Sequence, residues 1–413
     1  MADIAAYLHF EHWPPLPDLL FWVALTLMVG ALLGEAVYRG LALPRIVGYS
    51  AAGMAVAMAG FGFGDGQLQG NVRLIVDLAL ALLLFELGSR VSLQWLRRNP
   101  VLLWTSAAES LVSFAAMVVV LLWLGLDARV AVVCAALAVP ASGAVIGRVS
   151  AELKSAGQVT ERMIVLSALN TIYAVLALKL IVGVLHVGDR GDWIQGVAQP
   201  LYTFVGSVLV AVVLSQAVAW VMRNFELRDE NSVLLLLGMI LLAITAARLF
   251  ALSTLLVPLL AGVMLRNASA RPCIWPRHFG TAGGVLVLML FVVLGSVWSV
   301  AGIGTGIVAA LALLLARGLA KALVLAAAAR AGGIETRQGL ALALAMTPLS
   351  ATALVLLADV QTTSPELAAQ VAPIVLAAIA VMALTGPIFV QWGLRLTGEY
   401  QPMRRGAVVT ERP

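Results

Sequence analysis

Long apolar runs separated by short polar gaps follow one another along the whole chain. A helix needs about 20 apolar residues to cross the hydrocarbon core of a bilayer, and most of the runs between Gly, Pro and charge clusters approach that length. The pattern therefore predicts an all-α polytopic membrane protein with a single transmembrane domain over residues 1–413. About thirteen spans are predicted, at residues 18–38, 43–60, 72–95, 101–125, 129–148, 160–184, 200–222, 232–249, 252–265, 281–299, 302–329, 337–358 and 367–395.

Composition agrees with this pattern. Hydrophobic residues make up 62% of the chain and charged residues 11%, and the mean hydropathy is +1.01, which excludes a soluble protein of ordinary domains. The sequence pI near 9.6 does not indicate nucleic-acid binding, because the basic residues are scattered through the short gaps between spans. They act instead as topology signals.

The basic residues fall unequally on the two sides of the predicted membrane. Nineteen Lys and Arg residues lie in one set of alternate loops and four in the other, while Lys179, Arg317 and Lys321 lie within spans. Cytoplasmic loops retain positive charge during insertion. We therefore expect a multi-pass protein of the bacterial inner membrane, with the N-terminus outside and the C-terminus in the cytoplasm.

An internal repeat connects segments 207 to 209 residues apart, and three short apolar strings recur in the same order at this offset. Successive spans reverse direction, so the predicted halves, residues 18–184 and 232–395, are inverted relative to each other and joined by span 7 at 200–222. The equivalent residues are Gly53 and Gly262, Gly88 and Gly295, and Pro140 and Pro348.

Pro140 and Pro348 lie in the middle of two long spans. A proline removes a backbone hydrogen bond, and in lipid the freed carbonyls need other partners. One such proline is commonly a packed kink, but two at equivalent positions favour paired broken helices that cross near the bilayer centre. Inverted-repeat carriers place their substrate there. The polar residues expected at the crossing are Ser142, Asn170, Thr171, Thr347 and Ser350.

The strings LPRIVGY, LLLFELGSRVSL, ALAVPASGAV, SALNTI, LAGVMLRN, LARGLAKALV and LALAMTPLSATALVLL occur in this order along the chain. Their order resembles the monovalent cation:proton antiporter superfamily, which includes the sodium/hydrogen exchangers, over nearly the whole sequence. The resemblance implies exchange of Na⁺ or K⁺ for H⁺. It also implies that a core bundle of spans 4–6 and 11–13 moves against a scaffold that forms a homodimer.

The chain departs from that family at its ion-binding motifs. The family's span 5 break usually reads Pro-Thr-Asp-Pro, and its span 6 motif ends in Asn-Asp. The resemblance places the family's proline at Pro140 and its asparagine at Asn170, but Ser142 and Thr171 stand where the two aspartates would be. Threonine cannot exchange a proton near neutral pH, so the usual coupling carboxylate is missing from its usual place.

A cation:proton exchanger still needs a buried carboxylate, and the acids within spans are Glu35, Asp77, Glu86 and Glu109. Glu86 is a candidate for ion or proton binding, although it would equally serve as a structural pair with Arg90 one turn on. Glu35 and Asp77 lie near span ends and are expected to be interfacial charges.

Glu109 and Arg317 are 208 residues apart and so occupy equivalent positions in the predicted repeats. We expect a buried ion pair between them, because an unpaired charge would be costly at that depth. Lys321, one turn beyond Arg317, is expected to line the same interior face or to snorkel, and Lys179 to snorkel. If Glu109 does not pair with Arg317, it becomes the better candidate for a proton-carrying group.

Three functional hypotheses follow. The first is cation:proton antiport with a relocated carboxylate, whose substrates would be a monovalent cation and a proton. The second is a carrier for an anion or a small neutral solute, because bare helix N-termini carry partial positive charge. The third is a membrane scaffold or regulatory subunit without transport. The sequence contains no metal-ligand, phosphate-loop or nucleophilic-triad pattern, so neither an enzyme nor a cofactor is expected.

Overall fold

The computed structural model describes residues 19–58, 70–190, 193–224, 230–268, 279–296, 300–349 and 351–400, which form sixteen α-helices. A π-helical turn, Val37–Leu41, extends the first of them. In chain order the helices are α1 Leu19–Ala36, α2 Arg45–Val56, α3 Gly70–Ser89, α4 Leu93–Arg98, α5 Pro100–Trp123, α6 Ala128–Ala138, α7 Gly143–Glu152, α8 Gln158–Arg190, α9 Trp193–Asn224, α10 Glu230–Leu249, α11 Leu256–Ala268, α12 Phe279–Ser296, α13 Val300–Ala329, α14 Thr336–Ala345, α15 Ala351–Thr363 and α16 Pro365–Thr397.

The chain is a multi-pass membrane protein. Within the described residues, six helices are long and apolar enough to cross a membrane. Several others are shorter apolar helices, which fit predicted spans that are broken or that end outside the described residues. The count of thirteen spans therefore remains a prediction. The six segments are Ala24–Leu41, Pro100–Trp123, Gln158–Leu185, Ala198–Asn224, Gly306–Ala329 and Pro365–Thr397.

Two helices are broken where the sequence places Pro140 and Pro348. The chain leaves the helical conformation between α6 and α7, and again between α14 and α15. The two breaks cross: Ala141 and Leu349 form an antiparallel bridge, and the Ser142 N–H donates to the Pro348 carbonyl at 2.9 Å. Because the bridge is antiparallel, α7 and α15 leave the crossing towards opposite membrane faces.

The helices pack as two groups. The core bundle comprises α5 to α8 and α13 to α16, in which α5 packs closely on α13 and α14 packs on α16. The flanking bundle comprises α1 to α3 and α10 to α12. Helix α9 lies between the groups, against α8 and α11. This division agrees with the core bundle expected from the resemblance.

Four glycines allow the helices of the flanking bundle to approach closely. A Cβ atom on Gly88 of α3 would lie 2.2 Å from the Leu259 carbonyl of α11, and one on Gly53 of α2 would lie 2.1 Å from the Val292 carbonyl of α12. Gly262 and Gly295 meet the partner backbones in the same way. Gly53 thus lies opposite Gly295, and Gly88 lies opposite Gly262. The predicted repeat makes Gly53 equivalent to Gly262 and Gly88 equivalent to Gly295, so it relates one crossing to the other. The inverted repeat itself stays a prediction.

Glu399, which follows the end of α16, caps the N-terminus of α8. The Glu399 carboxylate accepts hydrogen bonds from the backbone N–H groups of Val159 and Thr160 at 2.9 and 2.8 Å, and from the Thr160 hydroxyl at 2.9 Å. These amides belong to the first turn of a helix, where N–H groups lack partners within the helix. A side chain 240 positions away along the chain therefore caps the helix that carries Asn170.

Candidate functional site

A polar stripe runs along one face of the otherwise apolar helix α5. Ser106, Glu109, Ser110 and Ser113 follow one another at helical spacing, and all four are buried. The stripe faces the core bundle, where α5 packs against α8 and α13. Charged and polar groups at this depth are costly unless they have partners.

Glu109 lies at the centre of a buried three-residue cluster. One carboxylate oxygen forms an ion pair with the Lys321 ammonium of α13, and neither side chain has exposed surface. The other oxygen accepts a hydrogen bond from the Asn170 amide nitrogen of α8 at 2.9 Å. The cluster thus brings together three helices of the core bundle and contains one acid, one base and one amide.

The orientation of the Asn170 amide is determined by its neighbours. Its nitrogen donates to Glu109, while its oxygen accepts from the Ser110 hydroxyl at 3.0 Å and the Ser106 hydroxyl at 3.4 Å. An amide offers two donors and an acceptor, so both ends of Asn170 are used. Asn170 therefore links the Glu109 carboxylate to the hydroxyls of Ser106 and Ser110 through one buried amide.

The structure corrects the predicted ion pair between Glu109 and Arg317. Glu109 pairs with Lys321, whereas Arg317 donates to backbone carbonyls at the two helix breaks. Carbonyls at helix C-termini lack helical partners and carry partial negative charge, and a guanidinium with five donors can satisfy several of them. Its acceptors are the carbonyls of Ala138 at 2.6 Å, Pro140 at 3.1 Å, Met346 and Pro348 at 3.5 Å, and Thr347.

The predicted hydroxyl residues at the crossing bond mainly to nearby backbone. Ser142 caps α7 by accepting from the Val145 N–H at 3.3 Å, and the Thr171 hydroxyl donates to the Ser167 carbonyl at 2.9 Å. The Thr347 hydroxyl donates to its own helix at 2.6 Å. Ser350 lies outside the described residues. Among the predicted crossing residues that the structure describes, Asn170 is thus the one whose side chain is hydrogen-bonded to an ionisable side chain.

Glu86 pairs with Arg90 and not with the residues of the Glu109 cluster. Its carboxylate pairs with Arg90 at 2.6 Å, and the two side chains are 35% and 36% exposed, which matches the structural-pair alternative. Asp77, which is expected to be an interfacial charge, is buried within the protein and forms an ion pair with Arg248 of α10. Lys179 lies 3.6 Å from Asp359.

Lys321, Ser106 and Ser110 are site residues that the sequence analysis did not assign. The sequence predicts that Lys321 lines the interior face or snorkels, and it does not identify Glu109 as its partner. The serines carry a usable signal, since they repeat with Glu109 at intervals of three and four residues in a span that is otherwise apolar.

The comparisons with known proteins agree with this architecture. The chain matches the family model of the transmembrane sodium/hydrogen exchanger over residues 24–395. No curated protein sequence matches it. The structure of the sodium proton antiporter MjNhaP1 from Methanocaldococcus jannaschii at pH 8 aligns with a TM-score of 0.65 at 14% identity, over 92% of this chain and 99% of that one.

A second structure of MjNhaP1, from an electron-microscopy map, aligns with a TM-score of 0.61 at 15% identity, over 97% of this chain and 95% of that one. At such identities the likeness establishes the fold and not the site. The family match, by contrast, covers most of the sequence and includes both helix breaks and the Glu109 cluster. The chain is therefore a member of the transmembrane sodium/hydrogen exchanger family.

Proposed function

We propose that the protein exchanges a monovalent cation, Na⁺ or K⁺, for protons, and that Glu109 is the carboxylate that binds the cation. The observation that carries the proposal is the hydrogen bond from Asn170 to Glu109. Asn170 is the residue that matches the asparagine of the family motif, and Thr171 follows it in place of the aspartate. Helix α5 supplies from the side the carboxylate that α8 lacks.

The surroundings of Glu109 suit a dehydrated monovalent cation. Asn170 links the carboxylate to the hydroxyls of Ser106 and Ser110, and carboxylate, amide and hydroxyl oxygens are the kinds of ligand that replace the hydration shell of a cation. The side chain is completely buried, so a charged carboxylate there depends on a positive partner. That partner can be a metal cation or the Lys321 ammonium.

Lys321 gives the proposed exchange a means of coupling. Its ammonium occupies the position against Glu109 that an incoming cation would take. Binding of Na⁺ or K⁺ would therefore displace Lys321 from the carboxylate. A lysine that loses its counterion in a buried site is driven to release its proton, because burial penalises an unpaired charge. Binding of a cation and loss of a proton are linked in this way.

The direct test is transport by purified protein in proteoliposomes that contain a pH-sensitive dye. We expect Na⁺ or K⁺ gradients to evoke proton flux between pH 6 and 9, and Glu109→Gln to abolish it. Glu161→Gln, at an exposed position near the start of α8, is the matched control and should keep the native flux. Comparing the two cations decides which one is carried.

Other results would redirect the proposal. Loss of flux in Glu86→Gln, with flux retained in Glu109→Gln, would transfer the role to Glu86. A native protein without any cation-evoked flux would refute the exchange and favour a carrier of an anion or neutral solute, or a non-transporting scaffold. Thr171→Asp separates these cases, since a gain of exchange in that variant would trace the loss to the missing aspartate.

The proposal also covers the membrane location, the orientation, the internal repeats and the oligomeric state. The excess of basic residues in alternate loops supports a bacterial inner-membrane location with the N-terminus outside and the C-terminus cytoplasmic. The paired glycine crossings support inverted repeats at residues 18–184 and 232–395, joined by span 7 at 200–222. We further propose a homodimer that forms through the flanking bundle while the core bundle moves.

A further inference from the structure

An ion pair joins the two bundles at the membrane face where α15 ends. Arg73 of α3 bonds Asp359 of α15, with 3.3 Å between Nη2 and Oδ1. Around this pair, Lys179 of α8 lies near Asp359, and Arg248 of α10 pairs with Asp77 beside Arg73. Each bundle supplies its own supporting charges, and the Arg73 to Asp359 contact bridges the boundary between them.

A second ion pair joins the bundles at the face where α7 ends. Arg45, the first residue of α2, approaches Glu152 with 3.2 Å between Nη1 and Oε1. The backbone N–H of Arg45 also lies 3.3 Å from each carboxylate oxygen. Glu35 supports Arg45 from within the flanking bundle at 2.9 Å. Here too the acid belongs to the core bundle and the arginine to the flanking bundle.

The two acids occupy corresponding places. Glu152 is the last residue of α7 and Asp359 lies in the final turns of α15, so each follows one of the two helix breaks. They are 207 residues apart, which falls within the offset that relates the two predicted repeats. An acid near a helix C-terminus is unfavourable for the helix itself, because the macrodipole is negative there. The ion pairs with Arg45 and Arg73 across the bundle boundary therefore explain better why Glu152 and Asp359 occupy these positions.

We propose that Glu152 and Asp359 are the core-bundle halves of two latches, one at each membrane face, and that each latch must open before the Glu109 site can be reached from its face. A latch here means an ion pair between the bundles, Arg45 with Glu152 or Arg73 with Asp359. The proposal rests on the proposed exchange, which requires the core bundle to move. Both arginines and Asp359 are about one-third exposed, so water can replace these contacts when a latch opens.

Accessibility of the site from each face tests the latches without relying on transport. Ser113 of α5 is buried one turn from Glu109, and its hydroxyl has no hydrogen-bond partner among the described residues, so Ser113→Cys is a mild reporter. It is placed in a background carrying Cys134→Ala and Cys273→Ala. A membrane-impermeant thiol reagent is then added to one face of oriented proteoliposomes, and the labelling rate is measured.

Asp359→Asn should raise labelling from the Asp359 face about two- to fivefold, the factor that a part-exposed ion pair contributes, without raising it from the other face. Glu152→Gln should do the reverse. Arg73→Gln and Arg45→Gln break the same contacts from the flanking bundle and should reproduce the two patterns. The matched controls are Glu366→Gln and Glu161→Gln, two exposed acids that should leave both rates unchanged.

Equal increases from both faces would indicate general loosening and overturn the latches, as would unchanged labelling in all four variants. Directional labelling in a protein that exchanges no cation would leave the latches standing and refute the proposed function. Cation exchange by the native protein without directional labelling would refute the latches alone.

Discussion

The carboxylate of Glu109 and the ammonium of Lys321 form an ion pair in which neither side chain has any exposed surface. Asn170 is bonded to the same carboxylate from a third helix. Each charge has given up its water and depends on the other. This dependence underlies both the proposed exchange and the first prediction.

Lys321→Met and Glu109→Leu should each destabilise the protein by about 3 to 5 kcal/mol, because each leaves an uncompensated buried charge. The double variant should recover much of that loss, since an apolar pair removes both charges together. Thermal unfolding of the detergent-solubilised protein measures all three. Losses that simply add would show that the two charges do not depend on each other.

Arg317→Met should lower stability by about 3 kcal/mol or more, because several carbonyls at the helix breaks lose their donor and each unsatisfied group costs about 1 to 3 kcal/mol. Arg317→Lys should recover only part of the loss, since one ammonium cannot reach both breaks as a guanidinium does. Arg330→Met, on an exposed residue just after the same helix, provides the control. Similar melting temperatures for Arg317→Met and Arg330→Met would contradict the role assigned to the guanidinium.

Gly88→Ala should be strongly destabilising, because the new Cβ would lie 2.2 Å from a backbone carbonyl of α11 and the two helices would have to separate. We expect a loss of at least about 1 to 3 kcal/mol in the thermal unfolding assay. Gly238→Ala is the contrasting substitution, since none of the described atoms beyond its own stretch of α10 lies within 4 Å of its Cβ position. It should raise stability by about 0.5 to 1 kcal/mol. A neutral Gly88→Ala would mean that the crossing is looser than described.

Glu399→Ala should fray the first turn of α8, because three hydrogen bonds to its carboxylate are lost. The expected cost is about 1 to 2 kcal/mol, as for other N-terminal caps with a favourable charge. Hydrogen exchange should quicken at residues 158–163 and stay unchanged in the first turn of α16. Gly157→Ala should act in the same direction, because its Cβ would lie 2.1 Å from the Glu399 carboxyl carbon. Unchanged exchange in α8 in both variants would exclude the cap.

The features that sequence could predict depend on local properties of the chain. Pro140 and Pro348 break their helices wherever those helices pack, and apolar runs form helices in lipid because their backbones have no other partners. The identity of the residue that pairs with Glu109, by contrast, depends on tertiary packing. Arg317 and Lys321 lie one turn apart on α13, so the choice depends on the rotation of that helix and on the unpaired carbonyls nearby.

Asp77 is a second residue whose surroundings could not be predicted from the sequence. Its position near a span end predicts an interfacial charge, but that position predicts neither its burial within the protein nor its ion pair with Arg248 of α10. Contacts between residues 171 positions apart leave no local trace in the sequence.

Arg317 has a mechanical consequence through its bonds to both helix breaks. One side chain holds carbonyls from two segments about 200 residues apart in the chain, in a medium that offers no water to replace them. Separating the two segments would leave these carbonyls without hydrogen-bond partners, so the guanidinium connects the two breaks rigidly. Any displacement of the proposed Glu109 site would then carry both breaks together as one body, and the relative motion that the proposed exchange needs would occur at the boundary between the bundles.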